Sequence, residues 1–461
     1  MLSKYPRDSF KVLPQKKWQD NIQKYTKNKH SFQILVLFAY VFFVSILLFA
    51  RDVYLIKINK FVFLAVFIVT SFFLKKEGLI YLLCFTLPLL NGLPGNYLLL
   101  VWIAFYIINY RKINTMLFAA FLLFSVFEFA SFIDFGFSFN RFIELIAYLS
   151  SLFLLFFIIY DSKICNKKEC LFFYIFGVFV FCLIVVISTL KSASSNWLLL
   201  FSNGDFRFGR TIIDSSSMHI GANENELAFY SIVGFSIGLF LINLSSLKFL
   251  FKMALIPITV VIGFIGALSV SRSYVFVMII VLVSYSLMQF RNIKRVFSLL
   301  ITLILFFVFL LFVYIQNPSI FEAFISRFSY SNFYTAGERV SIWNDYWSFF
   351  FNSPFHMVFG TGVVEYINVT GFFYSMHNMF QQIVVCYGIP LSIVFFYILL
   401  KPVLIRIRST RFDERWLPLI GVLFFTQTIQ FLNPYSLMLH YIVAIFALDV
   451  PNKASEGFRN G

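Results

Sequence analysis

Long apolar runs, each near the length that crosses a bilayer, follow one another through most of this chain and constrain its fold more than any motif. Of its 461 residues 60% are hydrophobic, 13% are charged and 67 are phenylalanine. A water-soluble domain cannot hide that much apolar surface, because its exterior must remain wettable. The runs also lack the alternation of apolar and polar residues expected of membrane β-strands. The sequence therefore predicts an all-α, polytopic integral membrane protein.

A window matched to the bilayer finds about 14 candidate spans. They centre on 31–50, 61–74, 78–90, 97–110, 115–133, 142–160, 170–190, 226–247, 252–270, 274–290, 296–315, 380–400, 416–433 and 437–450. The expected segments are a cytosolic basic tail at 1–30, transmembrane helices at 31–190, a periplasmic loop at 191–226, central helices at 227–315, a large periplasmic loop at 316–379, C-terminal helices at 380–450 and a cytosolic tail at 451–461.

The distribution of charge supports this topology. The net charge is +16, and most of the 37 Lys and Arg residues fall in the tails and loops assigned to the cytosol. Cytosolic loops carry such an excess in membrane proteins, and it also attracts anionic lipid. Both termini are therefore expected in the cytoplasm, and the positive charge indicates membrane lipid rather than nucleic acid as a partner.

Metal and disulfide chemistry find little support in the sequence. The five cysteines have neither a zinc-ligand spacing nor the pattern of a disulfide framework. The outer loops also lack a cluster of carboxylates of the DxD kind that holds a divalent cation. We expect no cofactor.

The outer loop that ends at Glu226 holds two arginines three residues apart, Arg207 and Arg210. Arginine suits bidentate recognition of phosphate, which makes the pair a candidate anion clamp. The alternative is a solvated loop that caps the following helix at the segment NENELA. Arg272 lies in the short turn Ser271-Arg272-Ser273 between two spans, and two interpretations are open for it as well. Its side chain binds a phosphate, or it extends to lipid headgroups.

The polar break at 316–379 carries the remaining candidate chemistry. From Arg339 to Phe350 the spacing predicts a helix with Ile342, Trp343, Tyr346, Trp347 and Phe350 on one face, as an interfacial helix requires. Arg339 and Asp345 then lie on or near its polar face. The nearby FGTG follows no strand, so it is not a dinucleotide-binding turn. His377-Asn378 ends the break, and a histidine there is either structural or a proton acceptor near neutral pH.

The order GER…W…FNSPF…FGTG…HN…YG resembles the shared core of the O-antigen ligase and Wzy-type O-antigen polymerase superfamily of bacterial envelopes. The NENELA segment and the SRS turn resemble that core as well. The resemblance covers roughly 205–395, and its most specific part is His-Asn followed after nine residues by Gly388. Leu391 departs from the family pattern, where a small residue or Thr is commoner.

This resemblance implies a multi-pass glycosyltransferase of the bacterial inner membrane, with its active site facing the periplasm. The implied donor is a glycan on undecaprenyl pyrophosphate, and the chemistry is metal-independent. A polysaccharide chain-length regulator is a further expected partner. The implied catalytic residues are Arg210 and Arg339 on the pyrophosphate and His377 on the acceptor hydroxyl. Supporting positions are Arg207, Arg272 and Asn378, and the carboxylates that offer an alternative base are Glu338, Asp345 and Glu365.

Two activities share these features, and a third activity of another class stays open. The polymerase adds a growing chain to a new lipid-linked repeat unit, whereas the ligase transfers the finished glycan to lipid A-core. Two outer loops with arginines favour the polymerase, because it holds two lipid-linked substrates. A polysaccharide flippase is the alternative of another class. It is disfavoured because transporters line a midplane pathway with ionisable residues. Here the spans hold few such residues, chiefly Glu128 and Glu144, and the outer loops hold most of the candidate chemistry.

Overall fold

A computed structural model describes residues 15–109, 114–134, 138–160, 165–193, 208–209, 223–289, 339–409, 412–432 and 436–451, together with single helical positions at 304, 308, 311, 314, 315 and 318. These residues form helices and turns, and none of them lies in a β-strand. The prediction of an all-α fold is confirmed over this part of the chain.

The helices are numbered here in chain order. They are α1 (Gln15–Asp52), α2 (Lys60–Phe73), α3 (Lys76–Thr86), α4 (Gly95–Asn109), α5 (Thr115–Asp134), α6 (Phe139–Ile158), α7 (Lys167–Ala193), α8 (Glu224–Asn243), α9 (Phe249–Leu268), α10 (Arg272–Gln289), α11 (Arg339–Phe351), α12 (Pro354–Phe359), α13 (Tyr366–Thr370), α14 (Met379–Ser409), α15 (Leu417–Phe425) and α16 (Ser436–Asp449). Short 3₁₀ helices at Leu87–Gly92 and Glu414–Trp416 follow α3 and precede α15.

Eight of these helices are long and apolar enough to cross a membrane. They are Ser31–Asp52, Thr115–Asp134, Phe139–Ile158, Lys167–Lys191, Glu224–Asn243, Phe249–Leu268, Arg272–Gln289 and Met379–Ile407. Each coincides with a span expected from the sequence. The expected spans 61–74, 97–110 and 437–450 correspond to shorter apolar helices, of 10–17 residues. The window 78–90 holds α3 and its 3₁₀ turn, and the window 296–315 lies almost entirely outside the described residues.

The expected span at 416–433 is wrong as a single helix, because α15 ends at Phe425. The side chains that follow bond to the last carbonyls of this helix. The Thr426 hydroxyl donates to the Leu423 carbonyl (3.1 Å), and the Thr428 hydroxyl donates to the Phe425 carbonyl (2.8 Å). Side-chain donors of this kind compete with continued helical hydrogen bonding, so the chain turns where hydropathy alone predicts continuation.

The short helix α16 lies in the centre of the protein. Nearly every side chain from Leu437 to Leu448 is buried, and the Nδ1 atom of His440 is 2.6 Å from the Tyr174 hydroxyl of α7. A helix of 14 residues is about 21 Å long, which is less than the apolar thickness of a bilayer. Because protein surrounds it, α16 does not need to reach both membrane surfaces.

Candidate active site

The helix α14, which covers the span expected at 380–400, bends sharply at Gly388. Gly388 has φ +65°, a value outside the helical region. Across the bend, the Ser392 hydroxyl donates to the Ile383 carbonyl at 2.9 Å, and the rings of Phe380 and Phe396 are 5.4 Å apart. In a straight helix these two pairs are separated by about 13 and 24 Å. The helix therefore has two arms, at 379–387 and 389–409.

The loop at 360–362 fits into this bend. The Thr361 N–H donates to the carbonyls of Val385 and Cys386, both at 3.1 Å, and the Gly362 N–H donates to Cys386 at 2.8 Å. The bend frees these carbonyls from helical pairing, and the loop satisfies them. A side chain at Gly360 would overlap the Cys386 carbonyl. FGTG is thus not a nucleotide motif but the partner of Gly388.

Buried side chains tie the same loop to α5 and α6. The carboxylate of Glu128 accepts the Val363 N–H, with both oxygens at 3.1 Å. Arg141 forms an ion pair with Glu365, whose side chain is 1% exposed and also accepts from Asn368 at 2.8 Å. These partners give Glu365 a structural role, and its expected role as an alternative base stays a prediction.

The predicted helix on the polar break is confirmed as α11, and its apolar face packs against the protein. Tyr346 and Phe350 are buried, whereas Val340, Ser341, Asn344 and Ser348 are exposed. The Tyr346 hydroxyl donates to the Tyr374 carbonyl at 2.6 Å. Asp345 accepts a hydrogen bond from the Tyr374 hydroxyl at 2.5 Å. This bond links Asp345 to the loop before His377 and occupies one of its two carboxylate oxygens.

Two hydrogen bonds connect α11 to the chain before and after His377. The Trp343 indole donates to the Met376 carbonyl at 2.9 Å, and the Gln381 amide donates to the Trp343 carbonyl at 2.7 Å. Asn378 caps α14, because its side-chain oxygen accepts the Gln381 N–H at 2.9 Å. Between these anchors His377 has φ +48°, a left-handed conformation that is uncommon outside glycine. The cap also explains the Asn of the His-Asn motif.

His377 lies within electrostatic range of Arg339, the first residue of α11. Burial and then Arg339 lower the pKa of the His377 imidazole to about 4. The ring is therefore neutral at pH 7, and its buried Nδ1 atom has no hydrogen-bond partner among the described residues. Burial and then Arg272 lower the pKa of the Arg339 guanidinium, which still stays charged. Together with the hydrogen bond from Arg339 to Ser273, beside Arg272, these electrostatic interactions indicate that three cationic or basic groups from separate segments lie close together.

The SRS turn and the NENELA segment belong to the same cluster. Arg339 donates to the Ser273 hydroxyl at 3.3 Å, and the Ser271 hydroxyl donates to the side-chain oxygen of Asn225 at 3.0 Å. Arg272 lies between these two serines at the start of α10. The first turns of α8 and α10 therefore meet the start of α11 and the histidine before α14.

Not every residue expected in the site is described. Arg207, Arg210 and Glu338 lie outside the described residues. Phe208 and Gly209, which lie between these arginines in the sequence, are described. Gly209 packs beside the start of α8, where a Cβ on Gly209 would be 2.9 Å from the Glu224 Cα. The structure thus brings together Arg272, Arg339, His377 and Asn378, with Asp345 one turn and a half along α11.

One acidic residue near the cluster was missed by the sequence analysis. The Asn91 amide donates to Glu226 at 2.5 Å and to the Tyr230 hydroxyl at 3.3 Å. Asn91 and Glu226 are separated by 135 positions, so no local pattern pairs them. The sequence did carry one indication that Glu226 is unusual, which is its place after Asn225 in the polar start of an otherwise apolar helix, α8.

The arrangement suits an anionic ligand and a proton acceptor. Two guanidinium groups provide the charge that a phosphate or pyrophosphate requires, and the neutral imidazole beside them can accept a proton. Within the described ranges, no group of three or more His, Cys, Asp or Glu side chains gathers in a way that would hold a metal ion. Neither the scan against protein-family models nor the search of curated proteins gives a match for this chain.

Proposed function

We propose that this protein is a membrane glycosyltransferase that polymerises oligosaccharide repeat units, carried on undecaprenyl pyrophosphate, into O-antigen or a related surface polysaccharide. The observation that carries the proposal is the convergence of Arg272, Arg339 and His377 from three separate stretches of the chain. The sequence resemblance to Wzy-type polymerases supplies the substrate class. The eight long apolar helices support a multi-pass membrane enzyme.

In the proposed orientation the cluster faces the periplasm, and both termini lie on the cytoplasmic side of a bacterial inner membrane. About 14 spans, some shorter than the bilayer core and covered by protein, complete the transmembrane region. Arg207 and Arg210, in the loop before α8, extend the anion clamp in this proposal. A polysaccharide chain-length regulator in the same membrane is the expected protein partner.

The proposed reaction is a direct displacement at the anomeric carbon. The growing chain on one lipid pyrophosphate is the donor, and a hydroxyl of a new lipid-linked repeat unit is the acceptor. The acceptor oxygen bonds to the anomeric carbon while the bond from that carbon to the pyrophosphate oxygen breaks. The neutral His377 takes the hydroxyl proton. The bonding electrons leave with the pyrophosphate, whose added charge is stabilised by Arg339 and Arg272.

The test is the loss of polymer in single-residue variants. Arg339→Ala and His377→Ala, each expressed in a strain that lacks the chromosomal gene, should reduce long-chain polysaccharide at least about 100-fold, as removal of one transition-state group does. Asn344→Ala, on the exposed face of α11, is the matched control and should leave the ladder of chain lengths intact. Immunoblotting of membranes checks that all three proteins are present. A normal ladder in both cluster variants would overturn the proposal.

The glycolipids of the deletion strain distinguish the related activities. A lipid A-core that carries a single repeat unit identifies a polymerase. A core without repeats, with polymer retained on undecaprenyl pyrophosphate, identifies the ligase activity instead. Loss of both core-linked repeats and periplasmic lipid-linked units identifies a flippase and contradicts the proposal.

A further inference from the structure

The bend of α14 lies at the middle depth of two neighbouring candidate spans. The ring of Tyr387 is 4.8 Å from the ring of Phe124, which is midway along α5. The Tyr387 hydroxyl contacts the hydroxyl of Tyr148, which is midway along α6. Each of these spans has 20 residues, about 30 Å of helix, so both halfway points are about 15 Å from the helix ends. Two independent helices therefore give the same depth for Gly388.

The end of α12 is attached to this bend. A side chain on Gly388 would overlap the carbonyl of Val358, and Thr361 donates to Val385 and Cys386 on the near side of the bend. Non-helical backbone is tolerated at membrane depth only where its polar groups are satisfied within the protein. The N–H groups of Thr361, Gly362 and Val363 meet this condition, because they donate to carbonyls of α14 and to the Glu128 carboxylate.

The outward face of α12 is apolar, and none of the described residues covers it. Phe355 and Phe359 are 64% and 51% exposed, their rings are 5.0 Å apart, and Val358 is exposed beside them. From Phe349 to Val364 the chain carries no Lys, Arg, Asp or Glu. On the second arm of α14, Ile393 is 65% exposed, as expected of a lipid-facing position on a span.

We propose that Pro354–Val364 is a re-entrant segment, which enters the membrane from the side of the polar break, and that Phe355, Val358 and Phe359 contact the acyl chains of bilayer lipid. The depth of Gly388, the attachment of α12 to it and the uncharged outward face all support this partner. The inference corrects the expectation that the whole of 316–379 lies outside the hydrocarbon. It is independent of the proposed glycosyl transfer, since it concerns only where the segment lies.

The experiment measures whether lipid or water surrounds positions 355 and 359. Single cysteines replace Phe355, Phe359, Ile393 and Asn344 in a variant whose five native cysteines are changed to serine or alanine, and each is spin-labelled in phospholipid vesicles. Collision with oxygen, which concentrates in hydrocarbon, is compared with collision with a water-soluble nickel chelate. The ratio at 355 and 359 should equal that at the lipid-facing position 393 and exceed several-fold that at the exposed polar position 344.

Two results would overturn the proposal. Nickel collisions at 355 and 359 as frequent as those at 344 would place α12 in water. Labels shielded from both reagents would mean that protein, such as a second copy of the chain, covers the face. Should the variant without native cysteines fail to fold, benzoylphenylalanine at Phe355 in the native chain replaces the label. The expected product is then a photo-adduct with phospholipid, and an adduct with protein alone would contradict the inference. Neither readout requires polysaccharide synthesis.

Discussion

His377 has a conformation that the surrounding hydrogen bonds must hold in place. A left-handed backbone costs a non-glycine residue about 1–2 kcal/mol, and His377 has φ +48°. The Trp343 indole bonds to the carbonyl of the preceding residue, and Asn378 on the other side caps α14. We infer that Trp343 is a positioning residue, which acts on the imidazole through the backbone.

Replacing Trp343 by Phe should lower turnover without removing the protein from the membrane. The variant loses one hydrogen bond, worth about 1 kcal/mol, which corresponds to a roughly fivefold lower kcat. Trp347→Phe is the matched control, because its ring stacks on Phe351 at 5.5 Å and it has no such bond to the His377 loop. Polymerisation by purified protein in vesicles measures both. An equal loss in the two variants, or a further loss when Trp343→Phe is added to His377→Ala, would contradict the positioning role.

The pKa of His377 predicts an unusual acid limb in the activity profile. Because burial and Arg339 lower this pKa to about 4, the imidazole can accept a proton at any pH above about 4, whereas an ordinary histidine loses this ability below its usual value near 6.5. The acid limb of kcat/KM should therefore lie near pH 4. Bound pyrophosphate offsets the charge of Arg339, so the limb of kcat should lie at higher pH. A limb near 6.5 in both profiles would exclude a desolvated His377 as the base.

At the scale of elements, the contact between α12 and the bend of α14 depends on two glycines that lack space for a side chain. Gly388→Ala should lower the melting temperature strongly, since the new Cβ combines φ strain of about 1–2 kcal/mol with overlap of the Val358 carbonyl. Gly371→Ala is the control, because Gly371 has φ +71° but no atom within 4 Å of its Cβ position. Thermal unfolding in detergent should show the larger loss at 388. Equal losses would mean that the close approach is unimportant.

The ion pair between α6 and the segment before α13 gives a second test at this scale. Glu365→Gln leaves Arg141 beside a neutral amide, and breaking such a pair costs about 3 kcal/mol when it is buried and less here, because Arg141 is partly exposed. We expect a lower melting temperature with little change in the acid limb of activity. If Glu365→Gln instead changed the acid limb of activity and left the melting temperature unchanged, Glu365 would again be a candidate base.

For the whole molecule, the proposed orientation rests on the excess of basic residues in the segments assigned to the cytosol. Alkaline phosphatase fused after Thr370 should be active, because the proposed topology puts that position on the periplasmic side, after the proposed re-entrant segment. The same enzyme fused after Asn243, at the end of α8, should be inactive, and green fluorescent protein fused there should fluoresce. The opposite pattern would reverse the topology and place the arginine cluster in the cytosol.

Much of the fold could be predicted because it depends on local composition and periodicity. Apolar runs identified all eight long helices, and the spacing of Tyr346 and Phe350 identified the packed face of α11. Arg272, Arg339 and His377, which the sequence singles out by residue type, lie close together, and their role as a site stays a prediction. The roles of Glu365 and of FGTG were not predictable, since their partners Arg141 and Cys386 lie elsewhere in the chain and no local pattern encodes the pairing.

The sequence by itself determined that the chain is helical, belongs in a membrane and carries arginines and a histidine in its polar segments, because hydropathy and charge act on each segment independently. Only the tertiary structure decided that α14 folds back at Gly388 and that the loop at 360–362 fills the bend. The physical reason is that backbone groups freed by the bend must find partners, and those partners come from segments that packing alone brings near. The polar break therefore contacts the bend of α14 at one end of α12 and contributes Arg339 and His377 to the candidate active site.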